Sequence, residues 1–95
     1  MNNLEYKKII DEWTKLVNEN GFFLSNGEEI PVVFWKTFLG VSRTVHAEIM
    51  ADTYKRKTFS PSIIQTIRFA RLLSLESFLS EVRAHIPIYE KNKRK

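Results

Sequence analysis

From Asn3 to Asn20 the apolar residues Tyr6, Ile9, Ile10, Trp13, Leu16 and Val17 return at steps of three and four, the period of a helix with one face toward a core. Asn20-Gly21 ends it, because glycine takes the left-handed conformation of a helix terminus without a Cβ penalty. Phe22-Phe23-Leu24 followed by Ser25-Asn26-Gly27 predicts a short extended piece running into a turn. Pro31 opens a short second helix in which Val33, Phe34, Phe38 and Leu39 carry the apolar pattern as far as Gly40. Ser42 caps a third, with Val45, Ile49 and Met50 inward and Arg43, Thr44, Ala47 and Glu48 outward. The pattern breaks from Asp52 to Ser60, where Tyr54-Lys55-Arg56-Lys57-Thr58 reads as an exposed basic loop. Ser60-Pro61 then caps and opens a fourth helix with the stripe Ile63, Ile64, Ile67, Ala70 and Leu73.

Ser74 caps a fifth helix through Leu75, Phe78, Leu79 and Val82, with Glu76 in the first turn where it suits the helix dipole. Pro87 is expected to close this helix, leaving Ile86, Ile88 and Tyr89 as an extended packing arm. Residues 91–95 form a basic tail. The expected architecture is therefore one all-α domain of five helices over residues 1–90, with an extended C-terminal arm and a basic tail.

Composition narrows what such a domain does. Ninety-five residues make one core, and 43% hydrophobic residues with seven Phe, three Tyr and two Trp exclude disorder for most of the chain. The absence of Cys removes disulfides, thiolate metal sites and cysteine nucleophiles together. Met1 to Glu5 carries no basic head and apolar run, and no window approaches the roughly 18 apolar residues of a membrane span, so a cytoplasmic protein without membrane contact is expected. Charge adds an asymmetry. Residues 1–30 hold six acids against three bases, net −3, while residues 31–95 hold five acids against twelve bases, net +7. A basic part of this kind suits a polyanion, with the acidic segment facing elsewhere.

The chemistry concentrates between Val32 and Asp52. A short helix ending in Leu39-Gly40-Val41-Ser42-Arg43 is followed by a helix opening Thr44-Val45-His46, with Leu39, Val41 and Ile49 at positions that lock two helices across a tight turn. Residues at the start of the second helix, Ser42, Arg43, Thr44 and Ala47, are then placed to meet base edges in a major groove: Arg43 pairs bidentately with guanine, and Thr44 reaches a base edge or a thymine methyl. Lys55, Arg56 and Lys57 in the following loop, with Arg68 on the fourth helix and Lys36 on the second, are candidate phosphate contacts.

Phe38-Leu39-Gly40-Val41-Ser42-Arg43-Thr44 resembles the turn region of the lambda-repressor-like (Cro, XRE-type) DNA-binding domains. In that family a polar loop, a capped helix and a short helix follow. Thr58-Phe59-Ser60-Pro61-Ser62-Ile63-Ile64-Gln65-Thr66-Ile67 and then Leu72-Leu73-Ser74-Leu75-Glu76-Ser77-Phe78-Leu79 match that layout, so the resemblance covers residues 28–84. Counted from Gly40, the family's small residue in the first motif helix falls on Lys36 and its buried aliphatic in the second falls on His46. Either the turn is one residue shorter, or Thr37 and Val45 take those places in a shifted packing. The resemblance implies a helix–turn–helix binding double-stranded DNA, a small transcriptional regulator of the repressor type from a phage, plasmid or toxin–antitoxin setting, and a homodimer on a palindromic site.

Other chemistry is weak in the sequence. His46 and His85 are the only histidines and share no helix face with a second ligand, and the pair Glu48 and Asp52 alone is a solvated face more readily than a cation site. No phosphate loop, nucleophile elbow or paired acid and base is present, so neither an enzyme nor a bound cofactor or metal is expected. Trp13, Phe34, Phe38 and Phe78 fall on apolar faces and belong to the core; Trp35 is open between core and a stacking platform. The rival reading is a helical protein interaction module, an antirepressor or adaptor, that docks a partner through residues 4–24. It requires an exposed apolar stripe along that segment.

Overall fold

The structure, a computed structural model, describes residues 2–55 and 59–93. Among them the chain forms five helices, α1 (Asn3–Glu19), α2 (Phe34–Leu39), α3 (Arg43–Met50), α4 (Pro61–Leu72) and α5 (Leu75–Lys93), with α1 packed on α3 and α2 packed on α4 and α5. No helix among the described residues is long and apolar enough to cross a membrane.

Local chemistry starts and stops these helices. The Asn2 side chain accepts the Glu5 N–H at 2.9 Å, Ser42 accepts that of Val45 at 3.2 Å, Ser60 that of Ser62 at 3.3 Å and Ser74 that of Ser77 at 3.2 Å, each satisfying an orphan donor of a first turn. Gly21 (φ 75°) closes α1 in a left-handed cap: Phe22 N–H reaches the Val17 carbonyl and Gly21 N–H that of Asn18, both at 3.1 Å. Phe22 and Val17 are both buried, so the cap also turns the chain back onto the core. Between Phe22 and Ile30 a single antiparallel bridge, Phe23 to Glu29, pins a tight loop with Phe22 and Leu24 inward and Phe23 outward.

The core is aromatic. Tyr6, Ile9, Ile10, Trp13 and Val17 of α1 are buried against Phe34 and Trp35 of α2, Phe78, Val82 and Tyr89 of α5, and Ile67 and Ala70 of α4. Trp35 belongs to this core, with no exposure; its indole N–H donates to Thr14 Oγ1 at 2.8 Å, and that hydroxyl donates to the Ile10 carbonyl at 2.8 Å. Trp13, Trp35, Phe38 and Phe78 pack with ring centroids 5.3–6.2 Å apart in mostly tilted and edge-on pairs.

Four expectations are corrected. Helix α5 does not close at Pro87, and there is no extended arm: the helix runs through to Lys93, so residues 91–93 of the expected tail are helical while Arg94 and Lys95 lie outside the described residues. The apolar spacing Phe78, Val82, Ile86, Tyr89 is itself helical, and Tyr89 is buried against Phe34 with centroids 5.4 Å apart. Arg83, whose carbonyl loses its donor to proline, and Pro87 are both exposed, so the lost backbone bond falls on the solvent side of α5. The C-terminal turns are fastened further by Glu90, which accepts the Ser25 N–H at 2.9 Å and the Ser25 hydroxyl at 2.6 Å. Second, α2 begins at Phe34: Pro31 to Val33 form a turn closed by Phe34 N–H on the Pro31 carbonyl at 3.0 Å, and Val33 faces out. Third, Leu73 and Leu75 are exposed, because the chain leaves α4 in extended conformation at Leu73. Fourth, the inward side of α3 is built on His46 and Ile49, with Val45 and Met50 half-buried.

Candidate nucleic-acid interface

Gly40 (φ 72°) ends α2 with the same pair of hydrogen bonds that ends α1: Val41 N–H to the Lys36 carbonyl at 2.8 Å and Gly40 N–H to that of Thr37 at 3.2 Å. A Cβ at Gly40 would meet nothing within 4 Å, so the backbone conformation alone requires glycine. Leu39, Val41 and Ile49 are buried on both sides of this turn, as their spacing predicts. Ser42, spent in part on capping, leads straight into α3.

His46 settles how α3 is packed. It occupies the inward position itself, in place of an aliphatic residue, and its Nδ1 lies 3.0 Å from the Tyr6 hydroxyl in a buried hydrogen bond whose direction follows the tautomer. The Tyr6 ring stands edge-on to the imidazole at 5.9 Å and tilted against Phe59 at 5.8 Å. Burial, with the nearby Lys36 charge second, pushes the His46 pKa below its ordinary value; burial also pushes the Tyr6 hydroxyl up. A neutral polar pair thus joins α1 to α3. The signal was present in the sequence as a histidine at an apolar position and a tyrosine at the start of the α1 stripe, but only the fold pairs them.

With His46 inward, Arg43, Thr44 and Ala47 are exposed together on the outer side of α3. Lys36 is half-buried, its Nζ 3.5 Å from Thr37 Oγ1, and its charge is felt at His46, so it stands beside the turn. Lys55 is exposed past the other end of α3. Arg56 and Lys57 lie outside the described residues. Arg68 stands on α4 beside Gln65, Phe69 and Leu72, in apolar company rather than with the turn.

Two anchors that the sequence did not reveal hold the end of α3. Asp52 takes a left-handed conformation (φ 58°), with its N–H on the Ile49 carbonyl at 3.0 Å and Thr53 N–H on that of Glu48 at 2.8 Å, so an aspartate does here what glycine does at the other two helix ends. Asn3 Nδ2 donates to Asp52 Oδ1 and to the Tyr54 carbonyl, both at 3.0 Å, tying this corner to the start of α1. Tyr54 and Phe59, on either side of Arg56 to Thr58, pack edge to face at 5.6 Å. Among the described residues no three His, Asp or Glu side chains are grouped to hold a metal ion.

No protein-family model matches the chain, and no curated protein or solved structure matches it significantly.

Proposed function

We propose that the protein binds double-stranded DNA, with α2, the Gly40 turn and α3 acting as a helix–turn–helix, and that it works as a small transcriptional regulator of the repressor type. The observation that carries this reading is the exposed start of α3: Arg43, Thr44 and Ala47 face solvent on a helix whose opposite side is locked by His46, Ile49 and the buried turn residue Val41. Base readout needs that combination of free donors and a rigid support.

The rival, protein docking through an apolar stripe in residues 4–24, has less to work with. Tyr6, Ile9, Ile10, Trp13, Val17, Phe22 and Leu24 are buried in the core, and the large apolar residues left exposed there are Leu4 and Phe23. The deciding experiment is selection from a random duplex pool followed by titration on the selected and a scrambled duplex. Enrichment of a defined site supports the reading. A chain that enriches nothing and fails to retain duplex at low salt overturns it.

A further inference from the structure

Away from α3, residues of α2, α4 and α5 line a cleft of about 390 Å³, within the ~300–1,000 Å³ range of small-molecule sites. Its more buried walls are Phe38 of α2, Ala70 of α4 and His85 of α5, and around them Phe69, Leu73 and Ile88 leave apolar surface exposed. Of the polar side chains that line it, Thr66 already donates its hydroxyl to the Ser62 carbonyl at 2.8 Å, whereas Glu81 and His85 are uncommitted. Glu81 is exposed and takes part in no ion pair among the described residues; Arg68 and Arg71 border neighbouring hollows instead. The His85 ring stands edge-on to Phe34 and Phe38, at 5.4 and 5.5 Å, and its Nε2 is buried without a hydrogen-bond partner. Burial holds the His85 pKa below its ordinary value, so the ring is neutral near pH 7, and among the described residues Glu81 is the one ionised side chain lining the cleft.

We propose that this cleft is a binding site for a small organic cation, a primary ammonium carried on a compact aromatic body. Glu81 and His85 stand one turn apart on the same face of α5, so a single ammonium can donate to the carboxylate and to the imidazole together. The aromatic body then covers Phe38, Phe69 and Ile88, and the apolar area removed from water supplies the non-directional part of the affinity. The charge of the occupant follows from its neighbours. A carboxylate or phosphate would meet Glu81 as repulsion, and a purely apolar molecule would cover the cleft while leaving the imidazole without a partner. The site shares no residue with the outer side of α3, so it is independent of duplex binding and is tested without DNA.

The probe is tryptamine, compared with tryptophol and indole-3-propionate, which carry a hydroxyl and a carboxylate on the same ring in place of the ammonium. Methyl NMR spectra of the full chain are titrated with each. Tryptamine is expected to shift the Leu73, Ala84 and Ile88 methyl signals saturably, with a dissociation constant on the order of a millimolar. It should bind about three- to five-fold more tightly than tryptophol, the scale of an exposed ion pair, and indole-3-propionate should bind more weakly still. Glu81→Gln should bring the amine to the level of the alcohol. Ala84→Phe, which fills the cleft from an exposed position on α5, should abolish the shifts at Leu73 and Ile88, and the core methyls of Ile10 and Val17 report in both variants that the fold is kept. Tryptamine shifts that do not saturate, or that reach the exposed Leu4 on α1 equally, overturn the proposal. So does an amine bound no better than the alcohol or the carboxylate, and so does a preference for the amine that survives Glu81→Gln.

Discussion

Tyr6 and His46 show how a single polar pair can set both the orientation of a helix and its response to acid. Removing the hydroxyl with Tyr6→Phe leaves the buried His46 Nδ1 unsatisfied and should lower stability by about 1–2 kcal/mol at neutral pH, read as a shift in the urea midpoint. The pH dependence has a definite sign. Burial, with Lys36 adding to it at His46, holds His46 and His85 below the ordinary 6.5, so as pH falls through that value the unfolded chain takes up protons that the folded chain refuses. Stability should be level above about pH 7.5 and fall below 6.5 by at most about 1.4 kcal/mol per pH unit for each histidine, flattening once the folded state titrates. A urea midpoint unchanged between pH 7.5 and 5 would contradict it. Residues on the outer side of α3 separate by role. Arg43→Ala should cost the selected duplex about 1–3 kcal/mol and relax one base position, whereas Lys55→Ala should weaken selected and scrambled duplex alike. Equal losses on both duplexes for Arg43→Ala would make it a phosphate contact.

Helix ends in this chain are written in two alphabets, and the sequence was legible in only one of them. The serine caps Ser42, Ser60 and Ser74 and the glycines Gly21 and Gly40 announce themselves, and all the helices they bound are present. Asp52 does the same work as those glycines with a residue that ordinarily starts structure, so the fixed corner it makes with Asn3 could not be read locally. Pro87 misled in the opposite direction. Its local rule says stop, but the gain from seating Tyr89 on Phe34 and holding Ser25 by Glu90 depends on residues more than fifty positions away, and it outweighs one lost backbone bond on the solvent side. His46 is a third case: the apolar pattern favours Val45 as the inward residue, and the partner that seats His46 instead, Tyr6, sits forty residues away where no spacing rule couples them. At the turn itself the conformation is the constraint. Gly40→Ala should lower stability by about 1 kcal/mol or somewhat more through the left-handed backbone alone, since no neighbour obstructs the added methyl, and Gly40→Asn should cost less. A thermal melt of the two variants orders them, and an alanine that melts with the wild type would show that the turn does not depend on φ.

On the scale of the whole molecule the charges are divided, net −3 over residues 1–30 and +7 over residues 31–95, and the two parts meet where Asn3 holds Asp52 at the end of α3. If duplex binding draws on Lys36, Lys55, Arg56 and Lys57, affinity should fall with salt at a log–log slope of roughly −3 to −4, as each neutralised phosphate releases its counterion. Asp52 tests where the duplex lies. Its carboxylate is exposed at the end of α3, three residues before Lys55, and would face the same phosphates with the wrong sign. An asparagine in its place keeps an acceptor for the Asn3 amide and tolerates the left-handed backbone at least as well, so Asp52→Asn changes one charge and little else. Removing a charge several ångströms from phosphate through water is worth up to about 1 kcal/mol, so affinity should rise about two- to five-fold at low salt. The gain should shrink as salt rises, because screening weakens the repulsion that the substitution removes. Melting should stay at the wild-type value. An affinity indifferent to Asp52→Asn at low salt would place the phosphates away from this end of α3, and the helix would then enter the groove by its Arg43 end alone.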